Sequence, residues 1–495
     1  MTTTFKIIVF YCCLSISFSS YAQAINTWVS GTVSIQNKSS HKGLKNMMVS
    51  NGDTIVTTNK KGVFKIPVKK GQVVFPILSS GYGYANTKKW WYNIPSDFES
   101  TSDLKIDFQL QKIQKNKAFK FLAIGDIQVG DNTELLQATQ SVLKELLNRN
   151  DYDFSIYLGD LVNDAPDLFM PLKKLVDDVK QPSWVVYGNH DRNFKTDKEN
   201  QPNLFRDNFG PDTYAFFRND VLFVALNSIK PEGKYGYKGI YQKNQIDFLS
   251  QLLATVDANQ PIVISQHIPF VGMKNKKELI EILNPFKNVL FLTGHTHTAF
   301  RNTIKMPSGN MIHELTAGAV CGNWWTGQKD WEGIPLALMS CGTPKGYFEI
   351  DFNKADYKIK YKGINLPSNK QFSVWFGDYN GEPLSSLAES NEFYVNVFSG
   401  SSDTKVSVVL PNKKVVFLKK EAILDPFVNY IKQTQKEGLT PDKNSKKSAY
   451  LRTKSRHIWK GVMPDELEKG YHKVEIKIED PYFSTIKDFL WVLKE

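Results

Sequence analysis

Five apolar runs in the middle of this chain each end in carboxylate, amide or imidazole side chains. In chain order, the segments that follow the runs are Gly125-Asp126-Ile127-Gln128, Gly159-Asp160, Gly188-Asn189-His190-Asp191, Ser265-Gln266-His267 and Gly294-His295-Thr296-His297. Divalent metals take these ligand types in proteins. A single G-H-x-H or G-N-H-D segment would be weak evidence. Five segments in this order, each after a predicted strand, indicate one metal centre.

The elements that position these segments alternate between strand and helix. Apolar residues recur at helical spacing in 133–147, whereas the short apolar runs predict strands. We predict strands 118–125, 154–158, 184–187, 262–265 and 289–292, helices 133–147, 167–179, 244–256 and 276–283, and a hairpin of 214–217 with 221–226. The alternation predicts an α/β fold with a largely parallel or mixed sheet. Ligands in such sheets gather at the carboxyl ends of the strands, where the five segments lie.

The five segments resemble the motifs of the calcineurin-like metallophosphoesterase superfamily, which run D-x-H, G-D, G-N-H-[DE], H and G-H-x-H. The resemblance implies a layered α/β/β/α core, two divalent or trivalent metal ions, and hydrolysis of phosphate esters. Two such ions neutralise the phosphoryl oxygens, and a water between them loses a proton near neutral pH. The bridging hydroxide then attacks phosphorus in line. Manganese, iron and zinc all fit, so the identity of the metal is open.

Motif by motif, the resemblance implies seven metal ligands. Three hold the first ion, three hold the second, and one carboxylate bridges both because it has two oxygens to share. The first ion would be held by Asp126, Gln128 and His297, the second by Asn189, His267 and His295, and both by Asp160. Gln128 departs from the family pattern, which has histidine there. Some extracellular branches also carry D-x-Q, so the change does not imply an inactive site, but it leaves the affinity of the first metal open.

Residues beside the ligands would complete the reaction. His190 follows a ligand but is not itself assigned to a metal, so it is the candidate general acid or transition-state donor. Histidine suits this task because its unperturbed pKa is about 6.5. An acidic neighbour would orient its ring, and the candidates are Asp164 and, in competition, Asn163. Arg192 is a candidate phosphate contact, since its guanidinium fork matches phosphate oxygens.

The first 24 residues have the features of a secretory signal. Lys6 lies in a short polar start, an apolar stretch follows at 7–18, and Ala22-Gln23-Ala24 fits a small-x-small cleavage site. That stretch is too short for a comfortable membrane span, and no later segment is apolar for long enough. We therefore expect an exported protein, periplasmic or extracellular, with no transmembrane segment after cleavage.

Short strand-like runs separated by turn residues flank the central region. From 25 to 112 they predict a β-sandwich, and the run from Gly43 to Phe64 resembles the carboxypeptidase-regulatory or Cna-B-like modules of secreted bacterial proteins. From 319 to 495 they predict a second β-rich domain. The catalytic domain would then span 116–318, although its end is open between 319 and 363.

Three segments of the C-terminal region carry a further resemblance. They resemble parts of the C-terminal extension of secreted bacterial calcineurin-like phosphoesterases, and they are Thr316-Ala317-Gly318-Ala319-Val320-Cys321-Gly322-Asn323-Trp324-Trp325, Gly342-Thr343-Pro344-Lys345-Gly346-Tyr347 and Ser455-Arg456-His457-Ile458-Trp459. The two tryptophans, Trp324 and Trp325, either wall the substrate cleft or pack between domains. Cys321 and Cys341 are the cysteines that remain after signal cleavage, and a disulfide between them and two free thiols are both open.

The net charge of +12 favours anionic substrates or surfaces. The lysines are scattered and densest at 413–460, without the aromatic-interleaved basic motif of a nucleic-acid reader, so a solvated basic face is the preferred interpretation. We expect a phosphorylated small molecule or an envelope polymer as substrate, while the oligomeric state is open.

Three functions remain after these arguments. The first is an exported, dimetal-dependent phosphoesterase acting on monoesters. A phosphodiesterase is the alternative, since the motifs do not separate the two. The rival from another class is a surface-binding protein with a catalytically weak metal domain, which Gln128 alone favours.

Overall fold

The computed structural model describes residues 27–36, 41–98, 104–116, 118–376, 391–436 and 453–494. The expected signal segment, 1–24, lies outside these residues. Within the described part of the chain, no helix is both long enough and apolar enough to span a bilayer. Strands dominate both ends of the chain, and helices alternate with strands between them.

The described strands before residue 113 form two sheets. They are β1 (Thr27–Gln36), β2 (His41–Gly43), β3 (Met48–Ser50), β4 (Ile55–Thr57), β5 (Val63–Val68), β6 (Val73–Ile77), β7 (Tyr82–Tyr84), β8 (Tyr92–Asn93) and β9 (Lys105–Lys112). One sheet has the order β2-β1-β9-β7 with β5 also paired to β1, and the other has the order β4-β3-β6-β8. Strand β9 alternates exposed polar residues with buried Ile106, Phe108 and Leu110, the period-2 pattern of a half-buried strand. Trp90 packs 5.2 Å from Trp184 and so joins these sheets to the central region.

The central strands form two larger sheets and a separate hairpin. They are β10 (Ala118–Ile124), β11 (Phe154–Tyr157), β12 (Ser183–Val185), β13 (Tyr214–Arg218), β14 (Val221–Ala225), β15 (Ile229–Glu232), β16 (Gly236–Gly239), β17 (Ile262–Ser265), β18 (Asn288–Thr293), β19 (Ala299–Lys305), β20 (Met311–Ala317), β21 (Gly346–Asn353) and β22 (Asp356–Gly363). The first sheet has the order β12-β11-β10-β21-β22, and its strands β10, β11 and β12 are parallel. The second has the order β13-β14-β17-β18-β20-β19, with β14, β17, β18 and β20 parallel. Strands β15 and β16 form the hairpin.

Helices connect the strands of the central region and follow one strand of the C-terminal region. They are α1 (Asn132–Ala138), α2 (Lys144–Leu147), α3 (Phe169–Asp177), α4 (Asn203–Phe209), α5 (Lys243–Leu253), α6 (Lys276–Leu283) and α7 (Pro426–Lys436). A π-helical turn, Thr139–Leu143, joins α1 to α2, and 3-10 turns occupy Pro166–Leu168 and Phe270–Gly272. The Asp131 carboxylate caps α1 by accepting from two backbone N–H groups of its first turn. This alternation of strand and helix confirms the predicted α/β fold class.

Phenylalanines join the two central sheets. Phe121 on β10 and Phe154 on β11 stack with ring centres 5.0 Å apart, and both meet the edge of Phe223 on β14 at 5.4 Å. Such aromatic pairs contribute about 0.5–1.5 kcal/mol each beyond the burial of their area. Because the rings come from both sheets, this shared interior holds the carboxyl ends of the two sets of parallel strands beside each other.

The C-terminal strands form two four-stranded sheets. They are β23 (Phe372–Phe376), β24 (Glu392–Val397), β25 (Lys405–Val409), β26 (Val415–Phe417), β27 (Lys419–Ile423), β28 (Ser455–Val462), β29 (Gly470–Asp480) and β30 (Phe483–Lys494). Their orders are β23-β24-β28-β27 and β26-β25-β29-β30. Arg301 of β19 ties this region to the second central sheet, because it donates to the Ser399 carbonyl at 2.8 Å and pairs with Asp480.

The first central sheet crosses the predicted domain boundary. Strand β21 lies beyond residue 319 yet pairs antiparallel with β10 along its length, and β22 extends the same sheet as far as Gly363. A division between 318 and 319 would separate β21 and β22 from the other strands of this sheet. The far end of the predicted range, residue 363, leaves the sheet whole.

Candidate metal centre

Each predicted metal ligand lies just after the end of a strand. Asp126 and Gln128 follow β10, Asp160 follows β11, Asn189 follows β12, His267 follows β17, and His295 and His297 follow β18. Because these strands are parallel within their sheets, their carboxyl ends lie at one edge. Contacts of 3.9 Å or less connect six of the seven side chains into a single cluster. The seventh, Gln128, reaches the cluster through a neighbouring cysteine.

The His267 imidazole is the centre of one half of the cluster. Its Nε2 atom lies 3.1 Å from Asp160 Oδ2, 3.1 Å from Asn189 Oδ1 and 3.2 Å from His295 Nδ1. Its Nδ1 atom lies 2.8 Å from the carbonyl oxygen of Leu158. A carbonyl only accepts, so Nδ1–H donates there. In the neutral form of the ring, the form that binds metal, the lone pair of Nε2 then faces the three other ligand atoms.

The Asp126 carboxylate organises the other half. Its Oδ2 atom lies 3.3 Å from His297 Nε2, and the backbone N–H of His295 donates to both carboxylate oxygens at 3.1 and 3.0 Å. His297 Nδ1–H donates to the carbonyl of Gly322 at 2.7 Å. As at His267, this bond fixes the ring and turns the lone pair of Nε2 toward the cluster.

A buried thiol lies beside Gln128. The Sγ atom of Cys321 is 3.7 Å from Gln128 Oε1 and 3.8 Å from His297 Nδ1. Cys321 and Cys341 are both buried and form no disulfide, so of the two alternatives the structure has two free thiols. Burial raises the pKa of the Cys321 thiol, against the opposing effect of His297, so it is neutral at pH 7. Only the position of Cys321 in the G-A-V-C-G-N-W-W segment hinted at a place in the site.

Burial and charge oppose each other at these side chains. Burial disfavours the His267 cation, but the charge of Asp160 outweighs burial and raises the pKa of His267 to about 9. Burial and the positive charge of His267 together lower the pKa of His295 to about 4. The pKa of Asp160 lies well below its usual value, because His267 and the neighbouring His190 outweigh burial. The negative charge of the buried carboxylates thus stabilises positive charge in the cluster, here the protonated imidazole of His267.

Several site residues have left-handed backbones. The φ angles are 45° at Gln128, 48° at Asp160, 74° at His295 and 50° at His297. Non-glycine residues rarely adopt this conformation, which costs about 1–3 kcal/mol at each position and persists only where the surroundings impose it. One such constraint is the hydrogen bond from the Gln128 N–H to the Asp160 carbonyl at 2.8 Å. Backbone strain of this kind concentrates at functional sites.

Glycine is required at two positions of the motifs. A Cβ on Gly188 would lie 2.2 Å from both the backbone nitrogen and Oδ1 of Asp160. A Cβ on Gly294 would lie 2.4 Å from Asp126 Oδ1. Neither carboxylate could stay in place beside such a carbon, so these glycines let the backbone approach the ligands.

Asp191 is a structural member of the G-N-H-D motif that the sequence analysis did not assign. It is fully buried, and its carboxylate accepts from the N–H groups of Leu161 at 2.8 Å and Gly188 at 2.9 Å. Burial and the nearby charge of Asp160 raise the pKa of Asp191 to about 7. The carboxylate thus joins the loop after β11 to the loop after β12. Its place within the motif was the signal that could have identified it.

His190 lies at the open side of the cluster. Its Nδ1 atom is 2.8 Å from Asp164 Oδ1, and its backbone N–H donates to Asp160 Oδ1 at 2.8 Å. Burial lowers the pKa of His190, but the Asp164 hydrogen bond and the charge of Asp160 outweigh burial and raise it above 6.5. Of the two candidate partners, Asp164 contacts the ring, whereas the Asn163 side chain lies beside Gly130.

The guanidinium of Arg192 is engaged inside the protein. Its Nε donates to the Asn189 carbonyl at 2.7 Å, and its terminal nitrogens donate to the carbonyls of Gly236 and Tyr235 at 2.8 Å. The residue is 3% exposed. These contacts join the loop after β12 to the β15–β16 hairpin, and the phosphate contact of Arg192 stays a prediction.

The paired tryptophans have different surroundings. Trp324 stacks on the His297 ring, with ring centres 4.4 Å apart and an interplanar angle of 30°. Trp325 is buried, and its Nε1 donates to the Ile127 carbonyl at 2.9 Å. Trp324 therefore borders the cluster, while Trp325 packs beneath the loop after β10.

The donor atoms are spaced as metal ligands are. Ligand atoms bound at about 2.0–2.2 Å to one ion lie about 2.8–3.6 Å apart, from octahedral to tetrahedral geometry. The observed separations of 3.1, 3.1 and 3.2 Å around His267 Nε2, and of 3.3 Å between Asp126 and His297, fall in this range. Oxygen and imidazole nitrogen suit manganese, iron and zinc. The residues present fit metal ions, and the fold and site together define an α/β protein with a candidate metal centre.

Family models match most of the central and C-terminal regions. Residues 119–299 match the model described as calcineurin-like phosphoesterase, and residues 314–485 match the model of the C-terminal part of such phosphoesterases. The chain therefore carries a calcineurin-like phosphoesterase domain followed by that family's C-terminal extension, as the motifs predicted. This confirms that the protein is a hydrolase acting on phosphate ester bonds.

The solved structures that are similar to this chain are distant in sequence. A purple acid phosphatase from yellow lupin seeds is 10% identical with a TM-score of 0.36, over 64% of this chain and 66% of that one, just under two thirds of its length. An archaeal phosphodiesterase is 14% identical with a TM-score of 0.23, over 49% of this chain and 99% of that one. A metallophosphoesterase from Sphaerobacter thermophilus is 17% identical with a TM-score of 0.22, over 46% and 82%. No curated protein matches the chain significantly.

Proposed function

We propose that this protein is an exported phosphoesterase that holds two metal ions at the cluster described above. The observation that carries the proposal is the set of donor-atom separations of 3.1–3.3 Å at the carboxyl ends of the strands. The proposed ligands are those predicted from the motifs: Asp126, Gln128 and His297 for one ion, Asn189, His267 and His295 for the other, and Asp160 for both.

The chain's own residues would bind and orient the phosphate ester around these ions. Bound ions would neutralise the phosphate oxygens and activate a water for attack on phosphorus. The bridging role of Asp160 is supported by two contacts: Oδ2 faces His267 at 3.1 Å, and the carbonyl of the same residue accepts from Gln128 of the other half at 2.8 Å.

His190 would donate the proton that the leaving oxygen needs. Because Nδ1–H donates to Asp164 at 2.8 Å, the ring is oriented with Nε2 left for the substrate. The raised pKa of His190 keeps that Nε2 protonated in a larger share of molecules near neutral pH. Asp164 does not touch the reacting atoms in this scheme, so it is a positioning residue.

The flanking regions complete the proposal. Residues 1–24 would direct export to the periplasm or the cell exterior, and the two sheets of 27–112 support an N-terminal β-sandwich. The continuous first sheet supports a catalytic domain that ends near Gly363, followed by a C-terminal β-rich domain. A phosphorylated small molecule or an envelope polymer would be the substrate.

Replacing Asp160 by asparagine tests the proposal directly. The variant should retain its fold by circular dichroism but hydrolyse no aryl phosphate with manganese, iron or zinc added. Its metal content should fall below the near two ions per chain expected of the wild type. Asp167→Asn is the matched control, since that side chain is 80% exposed and pairs only with Lys195 at the surface. Full activity of Asp160→Asn would show that the chemistry lies elsewhere.

The same assay separates the alternatives that the motifs left open. Faster hydrolysis of a bis-aryl phosphate than of an aryl phosphate would identify a phosphodiesterase. A protein that loses all metal on dialysis against mild buffer, and that turns over neither ester, would instead be the catalytically weak surface-binding protein.

A further inference from the structure

A cleft of about 600 Å³ opens beside His295 and His297 and is shared by two regions of the chain. The central region supplies the two histidines and the residues around them. The opposite wall comes from the C-terminal region, where Lys454 and Arg456 lie at the start of β28. The cleft is thus continuous with the metal centre and reaches a part of the chain that contributes no proposed ligand.

The charge of this cleft is one-sided. Lys454 and Arg456 are the cations among its described lining residues, and no carboxylate is among them. Within the described chain, neither side chain forms an ion pair within 4 Å. The guanidinium of Arg456 lies over the ring of Phe300 at 4.7 Å, which holds an otherwise exposed side chain at the cleft wall.

Aromatic and aliphatic side chains line the same cleft. Trp324 stacks on His297 at 4.4 Å, and the ring of Tyr237 meets His295 edge-on at 6.2 Å. Ile268 also lines the cleft. An ester whose phosphate lies at the histidines would place its alcohol part on these surfaces. A volume of about 600 Å³ accommodates a medium-sized organic group.

We infer that the substrate is a phosphate ester whose alcohol part is bulky and apolar and carries a second anionic group, bound by Lys454 and Arg456. The inference rests on the proposed function, because it takes the phosphate to bind at the metal centre. Two unpaired cations beside apolar walls attract an anion more strongly than the same cations on an open surface, because the walls exclude part of the screening water. Both residues would therefore determine specificity rather than turnover.

Two aryl phosphates that differ in one charge test this inference. 4-Carboxyphenyl phosphate carries the second anion, while 4-carbamoylphenyl phosphate has nearly the same shape and is neutral at that position. In a second, longer pair, a two-carbon arm separates the ring from the carboxylate or the amide. This pair tests whether the second anion binds farther from the phosphate. In the wild type, kcat/KM should favour the carboxylate of at least one pair about fivefold, as expected of partly exposed charge pairs.

Variants identify the residues responsible. In the Lys454→Gln/Arg456→Gln double variant the preference for the carboxylate over the amide should disappear. Lys454→Glu should reverse the preference, and Arg456→Lys should keep most of it because the charge remains. Lys469→Gln is the control: it removes a lysine of the same region that is exposed and does not line the cleft. The carboxylate-to-amide ratio of the variant is compared with that of the wild type, so the electronic difference between the two leaving groups cancels from this comparison.

Binding gives a second measurement that does not need turnover. 4-Carboxyphenylphosphonate and 4-carbamoylphenylphosphonate should differ about fivefold in affinity by calorimetry, and the double variant should lose that difference. Equal binding and equal hydrolysis within every pair would overturn the inference while leaving the phosphoesterase intact. Failure of all esters to react would instead refute the proposed function, and the phosphonates would still decide the role of Lys454 and Arg456.

Discussion

Replacing Arg192 by alanine should destabilise the metal centre without removing a group that touches metal or phosphate. Its guanidinium donates to the carbonyls of Asn189, Tyr235 and Gly236 at 2.7–2.8 Å. Asn189 is a proposed ligand, whereas the other two lie at the turn of the β15–β16 hairpin. The side chain therefore fixes a ligand-bearing loop against a hairpin that borders the cleft.

The loss of unfolding free energy depends on whether water can replace the guanidinium at each of the three carbonyls. Tyr235 and Gly236 are exposed, so water replaces the lost donor there. Asn189 is buried, and leaving its carbonyl without a donor costs about 1–3 kcal/mol. Loss of the guanidinium from the rings of Phe194 and Tyr237, at 4.6 and 5.2 Å, adds about 0.5–1 kcal/mol each. The expected loss of unfolding free energy is therefore about 2–5 kcal/mol, less than the loss of three charge-assisted hydrogen bonds of about 1.5–3 kcal/mol each.

Urea denaturation in the presence of EDTA measures this loss, because the chelator removes the contribution of bound metal from both proteins. The chain has several domains, so the transition of the central domain must be followed separately. Lys195→Ala should unfold like the wild type, since that side chain is 73% exposed. Suppose instead that Arg192→Ala unfolds like the wild type while the inhibition constant for inorganic phosphate rises tenfold or more. The guanidinium would then bind phosphate, and the reasoning above would be refuted.

Two further predictions concern the first metal and the C-terminal region. Gln128→His should tighten binding of the first ion about tenfold or more in a titration against a chelator, because imidazole is a stronger ligand than a neutral amide oxygen; unchanged affinity would place Gln128 outside the metal shell. Burial raises the pKa of Asp425 to about 6. Because this pKa is higher in the folded than in the unfolded protein, protonation of Asp425 contributes up to about 3 kcal/mol to the free energy of unfolding. The contribution is complete below about pH 4 and is lost as the pH rises through 6. Asp425→Asn should therefore flatten the difference in unfolding free energy between pH 4.5 and pH 8, and an equal difference in both proteins would contradict it.

The sequence predicted the elements that carry local signals. The predicted helix 133–147 is found as α1, a π-helical turn and α2, from Asn132 to Leu147. The predicted hairpin is found as β13 and β14, with a left-handed Asn219 at its turn. Both have apolar periodicity and turn residues within a few positions of each other, so no distant contact was needed to identify them.

The missed features depend on contacts between distant residues. Cys321 meets Gln128 across 193 positions, which no local spacing reveals. Arg192 follows the G-N-H-D motif and so suggested a phosphate contact, but its partners Tyr235 and Gly236 lie 43 and 44 residues away. The β15–β16 hairpin, which contains Tyr237, has no apolar alternation in I-K-P-E or G-Y-K-G, so neither strand was predicted.

The path of the chain after β20 connects the two sheets of the metal centre. The chain leaves the second sheet at Ala317, passes the cluster at Cys321 and Trp324, and enters the first sheet at Gly346. Strand β21 then pairs with β10, the strand that ends just before Asp126. Without β21, one side of β10 would lose its backbone hydrogen-bond partners, which is costly for a buried strand. The segment that follows the last histidine motif therefore supports both sheets of the metal centre.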